Sequence, residues 1–422
     1  MVSGSAYRAR LVDPVLDEYL AQLPAVLVLG PRAIGKSTTL TRRAATVVSL
    51  DREAETAAFE ADPDAALRDL EEPVLLDEWQ NVPGVLGAVR RAVQDNPSPG
   101  RFFVTGSVRA ELENEVWPAT GRLTRVDMHP MTVSEQQERI GGQTFFEKLS
   151  SGSELVTPRE PLDLVDYVEL ALQSGFPTAA LQLHGLPRRA WLESYVSDLL
   201  THDVRRLEES ATKHRDAQRL RSYFEAYALN SAGIADHTTI YTAAGVNKVT
   251  AMAYEGLLAD LLVTERVKGW ASNRLKRLVH APKRYVVDPA LMASVLGLDA
   301  QAVIRDGNML GRLIDTFVTA QLRPEAAVMD PKPGRYHLRT GQGRREVDQV
   351  FDLGAGRLIG IEVKAGTAPK ADDAKHLAWL RDEIRDRFVA GVVFHTGPRT
   401  YELGEKIIAA PISTLWAQKS RA

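Results

Sequence analysis

The sequence contains no cysteine, which excludes disulfides and thiolate metal sites and fits a reducing compartment. It also lacks any apolar run near the roughly 18 residues needed to span a bilayer. Its opening, MVSGSAYRARLVDPVLDEYL, has no basic region followed by an apolar stretch, so no secretory leader is expected. A cytoplasmic protein without membrane contact is the expectation. Charge of one sign is missing too. The 52 Lys and Arg against 55 Asp and Glu leave a net charge of −3, which excludes a uniformly basic nucleic-acid binder. What remains is an ordinary globular composition, 44% hydrophobic and 25% charged. At 422 residues the chain exceeds a single core, so several domains are expected.

The strongest motif lies early. Residues 26–40, VLVLGPRAIGKSTTL, place a short apolar strand before Gly30-x-x-x-x-Gly35-Lys36-Ser37, with a helical pattern after it. This is a phosphate-binding loop in the strand–loop–helix setting the motif requires. Glycine lets backbone N–H groups approach phosphate oxygens. The nucleotide-contacting set is then Gly30, Pro31, Arg32, Ala33, Ile34, Gly35, Lys36, Ser37 and Thr38. Lys36 is expected to neutralise the β- and γ-phosphates, and the Ser37 hydroxyl to hold Mg²⁺. ATP and Mg²⁺ are the expected cofactors.

A second apolar strand, PVLLDEWQ (73–80), ends in two acids. Asp77 is placed for the Mg²⁺ shell and Glu78 for polarising the attacking water. A third strand, RFFVTGS (101–107), ends in Thr105 and Ser107. Ligands bind at the carboxyl ends of strands in such sheets, so these hydroxyls either sense the γ-phosphate or close a strand-end turn. Arg109, Arg122 and Arg125 follow, each a surface arginine or an arginine finger acting in cis or from a neighbouring subunit.

Together, Gly30–Ser37, Asp77-Glu78-x-Gln80, Thr105-Gly106-Ser107 and TGRLTRVDMHPMTVSE (120–135) resemble a family of prokaryotic AAA-type ATPases. That family carries a C-terminal domain of unknown function similar to restriction endonucleases. The resemblance extends to Gly175-Phe176-Pro177 and ESYVSDLLTHDVRRL (193–207). It implies an ATPase, raises Arg122 as the γ-phosphate arginine through the family's Gly-Arg pair, and supplies no substrate.

From about 162 to 260 the apolar spacing is helical. Residues 237–269 read as helix, tight turn at Gly245, helix and strand, which resembles the winged helix-turn-helix expected of the family. Its second helix offers a DNA groove little beyond Asn247, Lys248 and Thr250. The adjoining stretch 266–287 holds seven Lys or Arg and no acid, with Trp270 and Tyr285 among them. It either binds a nucleic-acid backbone or forms a solvated or acid-docking loop. The segment 141–161 is the best candidate for a linker.

After residue 305 the order is helix, three strands, helix, strand, the αβββαβ order of a restriction-endonuclease-like core. Residues 346–366, EVDQVFDLGAGRLIGIEVKAG, form a hairpin. With its turn centred on Ala355, residues whose numbers add to 710 lie opposite each other. Asp348 then faces Glu362, and Glu346 faces Lys364, all on one face. Opposed acids are unfavourable, and a divalent cation compensates them. Lys364 would orient water or stabilise phosphate charge, and the family's pattern adds Asp315 as a ligand. The competing reading is a solvated face with a Glu346–Lys364 ion pair.

The expected fold is α/β. A P-loop AAA-type ATPase domain spans 1–140, a helical linker or lid 141–210, a winged-helix region 211–295 and a restriction-endonuclease-like domain 296–422. Two functions stay open: an ATPase that is also a DNA nuclease, or an ATP-switched regulatory protein whose nuclease-like domain only binds. A homo-oligomer fits either.

Overall fold

The structure, a computed structural model, describes residues 7–108, 121–203, 217–270, 281–340 and 344–417. The chain divides into two units: residues 1–130, 176–178 and 256–263 form the first, and the remainder the second. Arg109 and the basic residues Arg274, Lys276 and Arg277 lie outside the described residues.

The first unit is built on five parallel strands: β1 (Ala25–Leu29), β2 (Thr46–Ser49), β3 (Val74–Asp77), β4 (Phe102–Gly106) and β5 (Thr124–Asp127). Their order is β2-β3-β4-β1-β5. Every residue of β1 and β4 is buried, as expected of central parallel strands covered on both faces. The helix Gly84–Asp95 presents Val85, Leu86, Ala88, Val89 and Val93 to this sheet's core. Because β4 lies between β1 and β3, its carboxyl end separates the phosphate loop from the two acids. That order puts Thr105 and Ser107 between the motifs they were expected to serve.

The second unit carries an eight-stranded sheet ordered β12-β13-β11-β10-β9-β8-β6-β7. These strands are β6 (Thr264–Gly269), β7 (Lys283–Val286), β8 (Gly334–Arg339), β9 (Glu346–Asp352), β10 (Leu358–Val363), β11 (Phe388–His395), β12 (Tyr401–Gly404) and β13 (Ile407–Pro411). The expected αβββαβ order is present: helix Gly307–Ala327, β8, β9, β10, helix Lys375–Ile384, β11. The helices His237–Ala243 and Lys248–Asp260 flank a turn in which Gly245 has φ +66°. The antiparallel hairpin β6–β7 follows, but β6 also pairs with β8. The strands expected as a separate wing are therefore part of the C-terminal sheet.

The segment 141–161 departs from the linker expectation. It forms the helix Phe145–Ser151, capped by a Thr144–Glu147 box. Phe145 and Phe146 are buried against Phe394 and Phe351 of the C-terminal core. The polar residues around this phenylalanine pair hid it. Glu325, buried on the long helix, accepts the Phe145 N–H at 2.6 Å. Burial pushes this carboxyl up to about 7, against the pull of that hydrogen bond. A raised folded pKa means the stabilisation is complete below the ordinary value of 4.5 and is lost as pH rises through about 7. Glu325→Gln, neutral throughout, is expected to gain on wild type between pH 5 and pH 8, by up to about 3 kcal/mol. Parallel curves of melting temperature against pH would refute this.

Candidate functional site

The carboxyl ends of β1, β3 and β4 assemble the nucleotide site. Gly30 leaves β1 where no side chain fits, since a Cβ there would sit 2.3 Å from the Met128 carbonyl oxygen. Gly35 closes the loop at φ +93°, a left-handed conformation that glycine tolerates. The helix Lys36–Thr41 follows directly. The Lys36 ammonium folds back onto the loop, donating to the Gly30 and Pro31 carbonyls at 3.0 Å each. Burial lowers its pKa, and Glu78 and Asp77 partly offset this. Its charge is thus held by weak carbonyl partners that phosphate oxygens would readily displace.

Asp77 Oδ1 accepts from Ser37 Oγ at 2.7 Å and from Thr105 Oγ1 at 2.5 Å. Glu78 stands in the left-handed region at φ 58°, which a non-glycine residue adopts at a cost often met at active sites. Its N–H donates to Thr105 Oγ1 at 3.0 Å. Its carboxylate accepts from Ser107 Oγ at 3.0 Å and from Gln80. The β4 hydroxyls hydrogen-bond to the two acids, an arrangement that neither reading of them named. Arg10, buried, donates to the Ile34 carbonyl at 2.9 Å and the His129 carbonyl at 2.7 Å, clamping the loop from behind.

The structure does not bring Arg122 to the phosphate loop of its own chain. Arg122 is exposed, two residues before Thr124, which pairs with Val26. Parallel register therefore levels Arg122 with residue 24, six residues short of Gly30 and about 20 Å along the strands. No arginine side chain crosses that distance, so Arg122 cannot serve the phosphate loop of its own chain. Strand order and direction decide this, and neither is visible in a Gly-Arg dipeptide.

The second unit holds a cleft of about 710 Å³ lined by Asp315, Glu346, Asp348, Glu362, Lys364 and His376, among others. The 710 register holds from Leu358–Asp352 to Ile361–Gln349. Ile359 and Ile361 enter the core as expected. The ladder then ends, one pair before Asp348 and Glu362. Against β8, β9 moves three residues (Val350 to Val347) while β8 moves two (Tyr336 to Leu338). This bulge turns Asp348 so that Oδ2 accepts the Val363 N–H at 3.0 Å.

The cation beside Asp348 comes from an unexpected place. Lys283, on β7, donates to Asp315 Oδ2 at 2.7 Å and Asp348 Oδ1 at 2.8 Å, with its side chain 1% exposed. Burial alone would lower this ammonium's pKa, but the two carboxylates hold it well above the usual value. Burial raises Asp315 to about 6 against the pull of Lys283. Burial also works to raise Asp348, but Lys283 outweighs it and the net shift is downward. Glu362, pushed up by burial and by Asp348, accepts from Lys364 at 3.1 Å. The expected Glu346–Lys364 pair is replaced. Glu346 faces Arg339 at 3.8 Å, and its carbonyl meets the His376 ring. The solvated-face reading fails as well, because Glu362 is buried.

The basic stretch 266–287 is likewise not one exposed surface. Lys283 and Arg284 are buried, the latter on Glu255 at 2.8 Å, and so are Trp270 and Tyr285. Arg266 is about half exposed, 3.5 Å from Glu255. The helix Lys248–Asp260 exposes the apolar Val249 and Met252 beside Lys248, with Asn247 exposed just before it. Among the described residues no helix is long and apolar enough to cross a membrane.

Comparison with known proteins bears on each segment. Residues 22–137 match the AAA domain family, and the match contains the phosphate loop, Asp77, Glu78 and the β4 hydroxyls. Residues 22–137 form a P-loop ATPase domain of the AAA type. Residues 164–302 and 310–415 match two domains of unknown function, DUF8612 and DUF4143. Neither match establishes a restriction-endonuclease likeness. Two uncharacterized proteins are 27% identical over 404 residues, Mb2031c of Mycobacterium bovis and Rv2008c of Mycobacterium tuberculosis. The alignment covers 94% of this chain and 82% of each. Among solved structures, the chain is similar to the Walker-type ATPase PABY2304 of Pyrococcus abyssi, with 16% identity and a TM-score of 0.40. That likeness covers 68% of this chain and 94% of the other. A RuvB mutant of Thermotoga maritima gives 18% identity and a TM-score of 0.29 over 65% and 90%.

Sequence reasoning missed Arg10 behind the AAA-type domain's loop, and Lys283 in the cleft. Lys283 lies on β7, whose four residues are all buried, so no alternation singled it out. Nothing local marked Arg10.

Proposed function

We propose that this chain hydrolyses ATP with Mg²⁺ and uses its nucleotide state to switch the second unit, a nuclease-like domain that binds a partner rather than cutting it. The observation that carries the ATPase reading is that Asp77 accepts from both Ser37 and Thr105 beside a loop-bound Lys36. Ser37 Oγ and Asp77 Oδ1 are adjacent hard oxygens, the donor type Mg²⁺ prefers, and these residues would hold it. When bound, the ion neutralises charge on the phosphates.

The chain's own groups do the rest. Lys36 exchanges its carbonyl partners for β- and γ-phosphate oxygens. Thr105 fixes the Asp77 carboxylate and the Glu78 backbone together. Glu78 takes the proton of the attacking water. Arg122, unable to reach its own loop, fits a finger supplied to a neighbouring copy in a homo-oligomer. The binding-only reading of the second unit is favoured by Lys283, which already neutralises Asp315 and Asp348.

The test is phosphate release. Wild type should turn over ATP with Mg²⁺, and Lys36→Ala should lose turnover while keeping its melting temperature. Unchanged turnover in the variant would sink the ATPase assignment. A plasmid-nicking assay with Mg²⁺ or Mn²⁺ is expected to show equal background for wild type and Asp348→Ala. Nicking that depends on Asp348 would overturn the binding-only reading.

A further inference from the structure

The C-terminal cleft has the acids of a divalent-metal site, yet their oxygens are already committed. Asp315 Oδ2 and Asp348 Oδ1 both accept from the Lys283 ammonium, at 2.7 and 2.8 Å. Asp315 Oδ1 accepts from Tyr285 at 3.1 Å and Thr319 at 3.3 Å. Asp348 Oδ2 accepts the Val363 N–H at 3.0 Å. Among the described residues no three acids or histidines are arranged to hold a metal. Among the described residues of this cluster, Glu362 Oε1 is buried and without a partner.

We propose that Lys283 is the resident cation of this cleft, excluding divalent ions from the place between Asp315 and Asp348, and that removing its ammonium creates a metal site there. The inference deepens the binding-only reading of the second unit and rests on it in no other respect than this cleft.

Three features of the geometry support it. Lys283 enters on β7, part of the same hydrogen-bonded sheet as β9, so its position is fixed by backbone pairing and not by a flexible loop. Its side chain is 1% exposed. An incoming ion would therefore have to displace a buried ammonium, and such a charge is not left unpaired cheaply. The acid oxygens stand 2.7 and 2.8 Å from the Lys283 nitrogen. Mg²⁺ draws oxygens to about 2.0–2.1 Å, so both carboxylates would have to close in on it by roughly 0.7 Å. Without the ammonium, Asp315 and Asp348 would flank a gap bearing uncompensated negative charge, in the same cleft as the open Glu362 Oε1. Hard carboxylate oxygens of this kind are the donors that Mn²⁺ and Mg²⁺ prefer.

The experiment is a Mn²⁺ titration of the nucleotide-free full chain, reading free Mn²⁺ by electron paramagnetic resonance. Four proteins are compared: wild type, Asp348→Asn, Lys283→Ala and the double variant. Wild type and Asp348→Asn should bind Mn²⁺ identically, any uptake at the phosphate loop being common to both. Lys283→Ala should gain one further Mn²⁺ per chain, at least tenfold tighter than any wild-type binding at this cleft, and the double variant should lose it. A wild-type site that disappears with Asp348→Asn would show that metal displaces the lysine and would overturn the proposal. So would a folded Lys283→Ala that gains nothing. Should Lys283→Ala not fold, Lys283→Met keeps the packing, and the wild type–Asp348→Asn pair still decides. Neither result alters the ATPase reading, which phosphate release measures separately.

Discussion

Glu78→Gln is expected to lower ATP turnover by about 10²–10⁴-fold while leaving ATP binding close to wild type. The glutamine is nearly isosteric, and its amide oxygen can still accept from Ser107, as Glu78 does at 3.0 Å. The Glu78 N–H bond to Thr105 is a backbone contact that the substitution does not touch. What disappears is the capacity to take a proton from water. Binding should persist because Lys36, Ser37 and the loop backbone supply it. Single-turnover phosphate release and equilibrium binding of ATP, measured on one preparation, separate the two effects. Turnover within a few-fold of wild type would move the general base to another residue.

Gly106→Ala is expected to be nearly as damaging, by a different route. An alanine Cβ there would sit 2.4 Å from Trp79 Nε1 and 2.9 Å from Trp79 Cδ1. Trp79 is 1% exposed and lies in the first unit's core, so it has no free space to retreat into. Overpacking of this kind costs about 1–3 kcal/mol. The indole lies on the short 3₁₀ turn Trp79–Asn81, directly after Glu78, and moving it moves Glu78 and Gln80 as well. A misplacement near 1 Å in catalytic groups lowers rate on the order of 10²-fold. Both a lower melting temperature and a lower kcat are therefore expected. Wild-type values of both would show that the Trp79–Gly106 contact is loose.

The contrast between these residues explains what a sequence discloses. Gly30 to Ser37 is contiguous and its chemistry is local, so the phosphate loop is legible at once. Asp77 and Glu78 become legible by their place at the end of an apolar strand. The hairpin register was legible because Gly354, Ala355 and Gly356 all take positive φ, which fixes the turn's centre. The bulge beside Asp348 was not, because β8 imposes it from outside the hairpin. Lys283 reached the cleft only through the pairing of β6 with β8 across some 70 residues of sequence. Read in one dimension, it belonged to a basic surface stretch. The distance of Arg122 from its own loop was hidden for a similar reason, since it depends on β5 running parallel to β1.

The central claim is that nucleotide bound at the phosphate loop is felt in the second unit. Gly175–Phe176 is one of the points where the chain passes from one unit to the other, with Gly175 held in the second by Asp288 at 2.8 Å. Hydrogen–deuterium exchange of Glu78→Gln, with and without ATP and Mg²⁺, tests this most directly. The account predicts changed exchange in peptides of the second unit, first around Ser174–Gly175 and Asp288, as well as at the loop. Changes confined to the first unit would contradict it.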